Sequence, residues 1–112
     1  MADVLGNFEQ AVLIAVLRLD ADAYGRAILK EVQVRLDRDV APGAVHATLD
    51  RLEQKALLSS RLGSGTPVRA GRVRRYYRLL PAGFRALNDA RAAVDNIWSG
   101  LQWPLSKARS IG

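Results

Sequence analysis

Eight basic side chains fall between residues 54 and 88, and no acidic residue lies among them. They are Lys55, Arg61, Arg69, Arg72, Arg74, Arg75, Arg78 and Arg85. A guanidinium is planar, permanently charged and carries a fork of donors that matches phosphate oxygens and base edges. The chain as a whole has a net charge of +6, with −3 over residues 1–53 and +8 over residues 54–88, so this one stretch exceeds the entire excess. The chemistry it offers is non-covalent recognition of a polyanion, nucleic acid ahead of a membrane surface. The plainer alternative is a solvated basic face that only aids solubility.

Reactive chemistry has little to work with. Cysteine is absent, which excludes a thiol nucleophile, a disulfide framework and a cysteine metal site. His46 is the sole histidine, and the sequence suggests no serine or cysteine partner for it. The carboxylates fall mostly at helix starts and outer faces, where capping and solubility explain them. Gly63-Ser64-Gly65 follows a strand but runs into Thr66-Pro67 instead of a helix start, so it does not read as a phosphate-cradling loop. No catalytic residue, metal or cofactor is expected, and the chain is not expected to be an enzyme.

The elements that must position the arginines follow from spacing. At 112 residues, 49% apolar and 25% charged, the chain reads as one soluble domain with a real core. Its longest apolar run, Ala11 to Leu17, is far short of the ~20 residues a membrane span needs. Asp3 and Glu9 near the start do not resemble a secretory signal, so a cytoplasmic location away from membranes is expected. Asn7 as N-cap with Gln10 reaching back predicts a first helix over 8–19, its stripe formed by Phe8, Val12, Leu13, Val16, Leu17 and Leu19. Asp22 is the expected cap of a second helix over 23–35.

Pro42 opens a third helix over 42–55, with Val45, Leu49, Leu52 and Ala56 inward and Ala44, His46, Ala47, Asp50 and Arg51 outward. That outer face is small and polar, a shape that can enter a groove. Strands are expected over 58–62 and 73–79, joined by the Gly- and Pro-rich loop from Gly63 to Gly71. Pro81 opens a last helix that carries Phe84, Leu87, Val94, Ile97, Trp98 and Leu101 on a narrow stripe. Three helices, a hairpin and a long helix make a mainly α (α+β) fold, a winged helix-turn-helix whose third helix faces the major groove. The expected division is 1–80 for the winged helix, 81–102 for a dimerisation helix and 103–112 for a flexible tail.

From Leu5 to Leu101 the chain resembles the PadR family of winged-helix transcriptional regulators. The resemblance rests on Ala23-Tyr24-Gly25, Leu49-Asp50-Arg51-Leu52-Glu53, Ser59-Ser60-Arg61, Gly71-Arg72-Val73-Arg74-Arg75-Tyr76-Tyr77-Arg78-Leu79 and Pro81-Ala82-Gly83 in this order. It implies a homodimeric DNA-binding repressor that dimerises through its C-terminal helix and answers to small aromatic or other lipophilic effectors. The family pattern has tyrosine in place of His46, threonine or serine in place of Ala44, glycine in place of Ala56 and threonine in place of Leu80.

The candidate contacts to double-stranded DNA are Tyr24, Ala44, His46, Ala47, Thr48, Arg51, Arg72 and Arg74. Arg72 and Arg74 suit phosphates or the minor groove; Tyr24 and Thr48 offer hydroxyls to phosphate; Arg51 reaches a phosphate or guanine edge unless it pairs with Asp50 or Glu53. Candidates for the dimer interface or a ligand are Phe8, Val12, Val94, Ile97, Trp98 and Leu101. The stripe on the last helix is too narrow to bury within so small a monomer, and Trp98 either anchors a dimer or stacks a flat effector. A dimer predicts an inverted-repeat operator with half-sites about one helical turn apart. Two other readings stay open: a protein–protein adaptor with only sequence-blind DNA affinity, and a dimer whose main task is effector capture.

Overall fold

The computed structural model describes residues 5–63 and 73–107. In chain order they form α1 (Asn7–Leu19), a 3-10 turn (Asp20–Asp22), α2 (Gly25–Leu36), α3 (Pro42–Gln54), β1 (Leu58–Leu62), β2 (Arg75–Leu79) and α4 (Pro81–Trp98). The two strands pair antiparallel, with Leu58 opposite Leu79, Ser60 opposite Tyr77 and Leu62 opposite Arg75. This is the expected winged helix-turn-helix, three helices and a two-stranded wing followed by a long helix. The core gathers Leu13, Val16, Ile28, Val32, Leu49, Leu52 and Leu58, one apolar face from each of α1, α2, α3 and β1. None of the helices among the described residues is long and apolar enough to cross a membrane.

The helix starts differ from the sequence expectation. Gly6, not Asn7, is the N-cap of α1, and the Glu9 carboxylate accepts its N–H at 3.2 Å. Gln10 reaches back as expected, but its amide donates to the Leu5 carbonyl at 2.9 Å. Asp22 lies in the 3-10 turn and caps nothing; α2 begins at Gly25 with Tyr24 as N-cap. The physical cause is tertiary. Tyr24 is extended and Ala23 non-helical because they pair with β2, the Ala23 carbonyl accepting the Tyr77 N–H at 2.9 Å, so the helix cannot start before them.

Val12, expected at a dimer or ligand surface, is fully buried (0% exposed). The α1 stripe is wide enough that Val12 and Leu13 both face the core, which removes Val12 from any surface of this fold. Phe8 is half-buried against the same core. The distal part of α4 behaves differently. Ala90 is its last buried residue, and beyond it Val94, Ile97 (76% exposed) and Trp98 lie in solvent. The helix ends at Trp98, three residues short of the expected Leu101, which is half-buried. The expected tail is described only as far as Lys107; the rest, like Arg72, lies outside the described residues.

Two positions of the family pattern, Ala56 and Gly83, find a structural reason. At the end of α3, the Leu57 N–H bonds the Leu52 carbonyl at 3.0 Å and the Ala56 N–H bonds Glu53 at 2.9 Å, a Schellman closure. It places Ala56 at φ 61°, the left-handed region that glycine occupies without strain. At the start of α4, the Leu57 carbonyl accepts the Leu80 N–H at 3.0 Å, and a Cβ on Gly83 would run into that same carbonyl.

Two substitutions test these constraints by denaturant unfolding. Ala56→Gly is expected to stabilise the fold by about 1 kcal/mol, the left-handed cost of alanine less the extra unfolded-state freedom of glycine. Gly83→Ala is expected to destabilise it by more than about 2 kcal/mol, because only a backbone shift of α4 makes room.

Candidate nucleic-acid interface

α3 presents Ala44, His46, Ala47, Asp50 and Arg51 to solvent while Val45, Thr48, Leu49 and Leu52 are buried. His46 Nε2 sits 3.4 Å from Asp50 Oδ2, one helical turn on. Thr48 does not join the outer face. It is 3% exposed, and its hydroxyl accepts a 3.3 Å bond from Arg51 Nη2, so the expected phosphate contact has no access. Arg51 has a partner the sequence did not suggest. Its Nε lies 3.7 Å from Glu9 on α1, and Lys55 Nζ lies 3.8 Å from the same carboxylate. Glu9 thus caps α1 and ties α3 to it.

The wing is fastened to α2 and α3 at separate points. Beside the bond from Tyr77 to Ala23, Tyr24 bridges Tyr76, their rings edge-to-face at 5.8 Å. The Arg74 guanidinium lies 4.0 Å from the centroid of the Tyr24 ring, and Arg61 lies 5.2 Å from that of Tyr76. Both are cation–π contacts that hold exposed cations over aromatic faces. The Glu53 carboxylate of α3 accepts both the Ser60 N–H (3.2 Å) and the Ser60 hydroxyl (2.8 Å). Arg75 Nη1 donates to the same hydroxyl oxygen at 3.0 Å, and Arg78 Nε donates to Ser59 at 3.3 Å. Gly63 is required by packing: a Cβ there would meet the Tyr76 ring at 2.8 Å.

Tyr24, Arg74 and His46 therefore line one cleft of about 540 Å³ between α2, α3 and the wing. Ala44, Ala47 and Arg51 line a shallower groove on the other side of α3, shared with Phe8 and Val40. Arg26 and Arg75, which were not among the candidates, also line the cleft. The basic run signals Arg75; nothing in the acid-rich first half of the sequence singles out Arg26. The interface candidates on α4 lie far along the helix, where the Trp98 ring meets that of Trp103 edge-to-face at 5.7 Å. Among the described residues no three acidic or histidine side chains come together as a metal site.

This arrangement of helices and wing defines a winged helix-turn-helix protein. Residues 13–89 match the transcriptional regulator PadR-like family, and the chain belongs to it. Regulators of this family bind DNA; they are not enzymes. The transcriptional regulator Rv3488 of Mycobacterium tuberculosis is 37% identical over 78 residues, 70% of this chain and 68% of that protein. A PadR family transcription regulator from hypervirulent Clostridium difficile R20291 superposes with a TM-score of 0.59 at 25% identity, over 85% of this chain and 100% of that one. A transcriptional regulator from Clostridium thermocellum superposes with a TM-score of 0.66 at 21% identity, over 80% and 82% of the two chains. The family match ends at residue 89, before Val94, Ile97, Trp98 and Leu101.

Proposed function

We propose that this chain is a repressor that binds an inverted-repeat operator as a homodimer. In this reading α3 enters the major groove. Ala44 and Ala47 meet thymine methyl groups there, and His46 donates to a base edge or phosphate. Arg72 and Arg74 grip the flanking backbone or reach into the minor groove, and the Tyr24 hydroxyl meets a phosphate. Arg51 positions α3 against α1 through Glu9 instead of reading a base. The observation that carries the reading is that His46, from the exposed surface of α3, lines one cleft with Tyr24 and with Arg74 and Arg75 of the wing. Gly25 and Gly43 support it, since each sits in the first turn of α2 or α3 with open space where a Cβ would be. Such first turns let a phosphate approach the free backbone N–H groups.

The dimer rests on α4. The radius of gyration is 17.2 Å, against about 13 Å for a compact domain of this length. Leu87, Ala90, Val94, Ile97 and Leu101 recur at three- and four-residue intervals, and Val94, Ile97 and Trp98 are exposed, with Trp98 in contact with Trp103. Packing against the same helix of a second copy buries this stripe and sets two α3 helices in two-fold relation.

Two measurements check these assignments. Arg72→Ala is expected to weaken binding equally on unrelated duplexes and to lower the slope of log Kd against log salt by about one. An unchanged slope removes Arg72 from the contact. Sedimentation is expected to show a dimer at tens of micromolar, about the working range for such measurements, and Ile97→Asp is expected to shift it to monomer. A monomeric wild type contradicts the dimer.

A further inference from the structure

Asp50 is the one carboxylate on the exposed face of α3; Glu53, the other acid of the helix, is half-buried and engaged with Ser60. A face that enters a groove of DNA meets phosphate charge and, at guanine, the O6 and N7 acceptors. An ionised aspartate there is repelled by both unless a cation offsets it. Among the described residues no lysine or arginine pairs with Asp50; its partner is His46, Nε2 to Oδ2 at 3.4 Å. The next two bases along the chain, Arg51 and Lys55, are drawn to Glu9 instead.

His46 offsets Asp50 only in its charged form. With Nε2–H turned to Asp50, a neutral ring leaves Nδ1 as an acceptor, which repels guanine O6, guanine N7 and phosphate oxygens alike. The imidazolium carries a second N–H at Nδ1 and donates to any of them. Imidazole exchanges these two forms within the physiological pH range, whereas the tyrosine of the family pattern does not. Both side chains are more than half exposed, so DNA has access to the pair.

The other charged groups that face the ring come from α2 and the wing. Arg26, Arg74 and Arg75 line the same cleft, so the free protein holds His46 among positive charge. Tyr24 and Tyr77 are the remaining titratable groups there, and Leu29, Val45 and Leu49 make the cleft wall apolar. Phosphates brought against those arginines neutralise them and leave Asp50 as the charge that the ring answers to.

We propose that His46 and Asp50 form a proton-dependent reading pair. DNA binding takes up one proton from solvent at each His46, and the imidazolium, oriented by Asp50 through Nε2, donates its Nδ1–H to the O6/N7 edge of a guanine. This rests on the reading of α3 as the recognition helix and makes the pair a specificity determinant within it. The grip on the operator tightens as pH falls and loosens as pH rises.

The test is anisotropy of the full chain with a labelled duplex from upstream of its own gene, and a scrambled duplex, at about 200 mM salt between about pH 6 and pH 8. The wild-type Kd for the native duplex is expected to rise at least about tenfold over that range, log Kd approaching a slope of about one per protomer. His46→Ala, an exposed change, is expected to bind about tenfold more weakly at the acid end and to give a flat profile. Asp50→Asn is expected to bind more tightly than wild type at the alkaline end, where it removes the uncompensated anion, and to give a shallower profile. Substituting base pairs singly is expected to find one G·C pair per half-site at which wild type loses about fivefold or more, while His46→Ala loses less than about twofold.

His46 is the sole histidine, so its Hε1 resonance reports the charge of the ring without overlap. Saturation with the native duplex at neutral pH is expected to move it to the imidazolium position. A flat wild-type profile, an equally steep one in His46→Ala, a neutral ring in the saturated complex, or the absence of such a G·C pair overturns the proposal. If the native duplex is still preferred over the scrambled one in those cases, the recognition reading stands. No preference for the native duplex at any pH overturns both.

Discussion

The arrangement of the whole interface turns on one backbone bond, the Tyr77 N–H donated to the Ala23 carbonyl. It adds a residue of extended chain from the helical half to the edge of the wing. Three consequences follow from it. The second helix is delayed to Gly25, so its open first turn faces outward. Tyr24 is drawn against Tyr76 and beneath Arg74, which fixes an arginine that would otherwise sweep freely. The wing is locked at a set distance from α3, and the space left between them is the basic, apolar-walled cleft. A two-stranded hairpin alone is marginal in water, so this bond and the Glu53–Ser60–Arg75 chain are what make the wing a fixed part of the surface.

The other end of the fold obeys a second constraint at Leu57. Its carbonyl takes the Leu80 N–H and lies against Gly83, so α4 leaves the wing at a direction set by backbone contact. After Ala90 no residue of α4 is buried, and Trp98 meets Trp103 edge-to-face. A stripe of Val94, Ile97 and Trp98 in water is a surface that association removes. In the proposed reading these two constraints set the recognition face on α3 and the wing and the pairing face on distal α4.

Much of this is legible in the sequence. The element order and the inward Val45, Leu49 and Leu52 of α3 follow from apolar spacing, whereas Ala56, also expected inward, is exposed beyond the helix end; Pro42 and Pro81 mark the helix starts they were expected to mark. The misses share a cause. Asp22 has the chemistry of a cap, but pairing of Ala23 and Tyr24 with a strand more than 50 residues away decides where α2 begins. Thr48 and Val12 sit at positions where a helical wheel leaves the choice open, and packing from α1 and α3 turns both inward. Arg51 has two acidic neighbours in sequence, yet its partner is Glu9, a contact only the crossing of α1 and α3 creates. Arg26 reaches the cleft through the packing of α2 beside the wing, which no local pattern encodes.

The central claim is sequence-specific DNA recognition by α3 and the wing. Fluorescence anisotropy tests it most directly, comparing the duplex upstream of this chain's own gene with a scrambled duplex at about 50 and 200 mM salt. A specific regulator is predicted to prefer the native duplex by about a thousandfold or more at the higher salt. Equal binding of the two duplexes that collapses as salt rises would contradict it, leaving a basic winged helix whose partner is a protein.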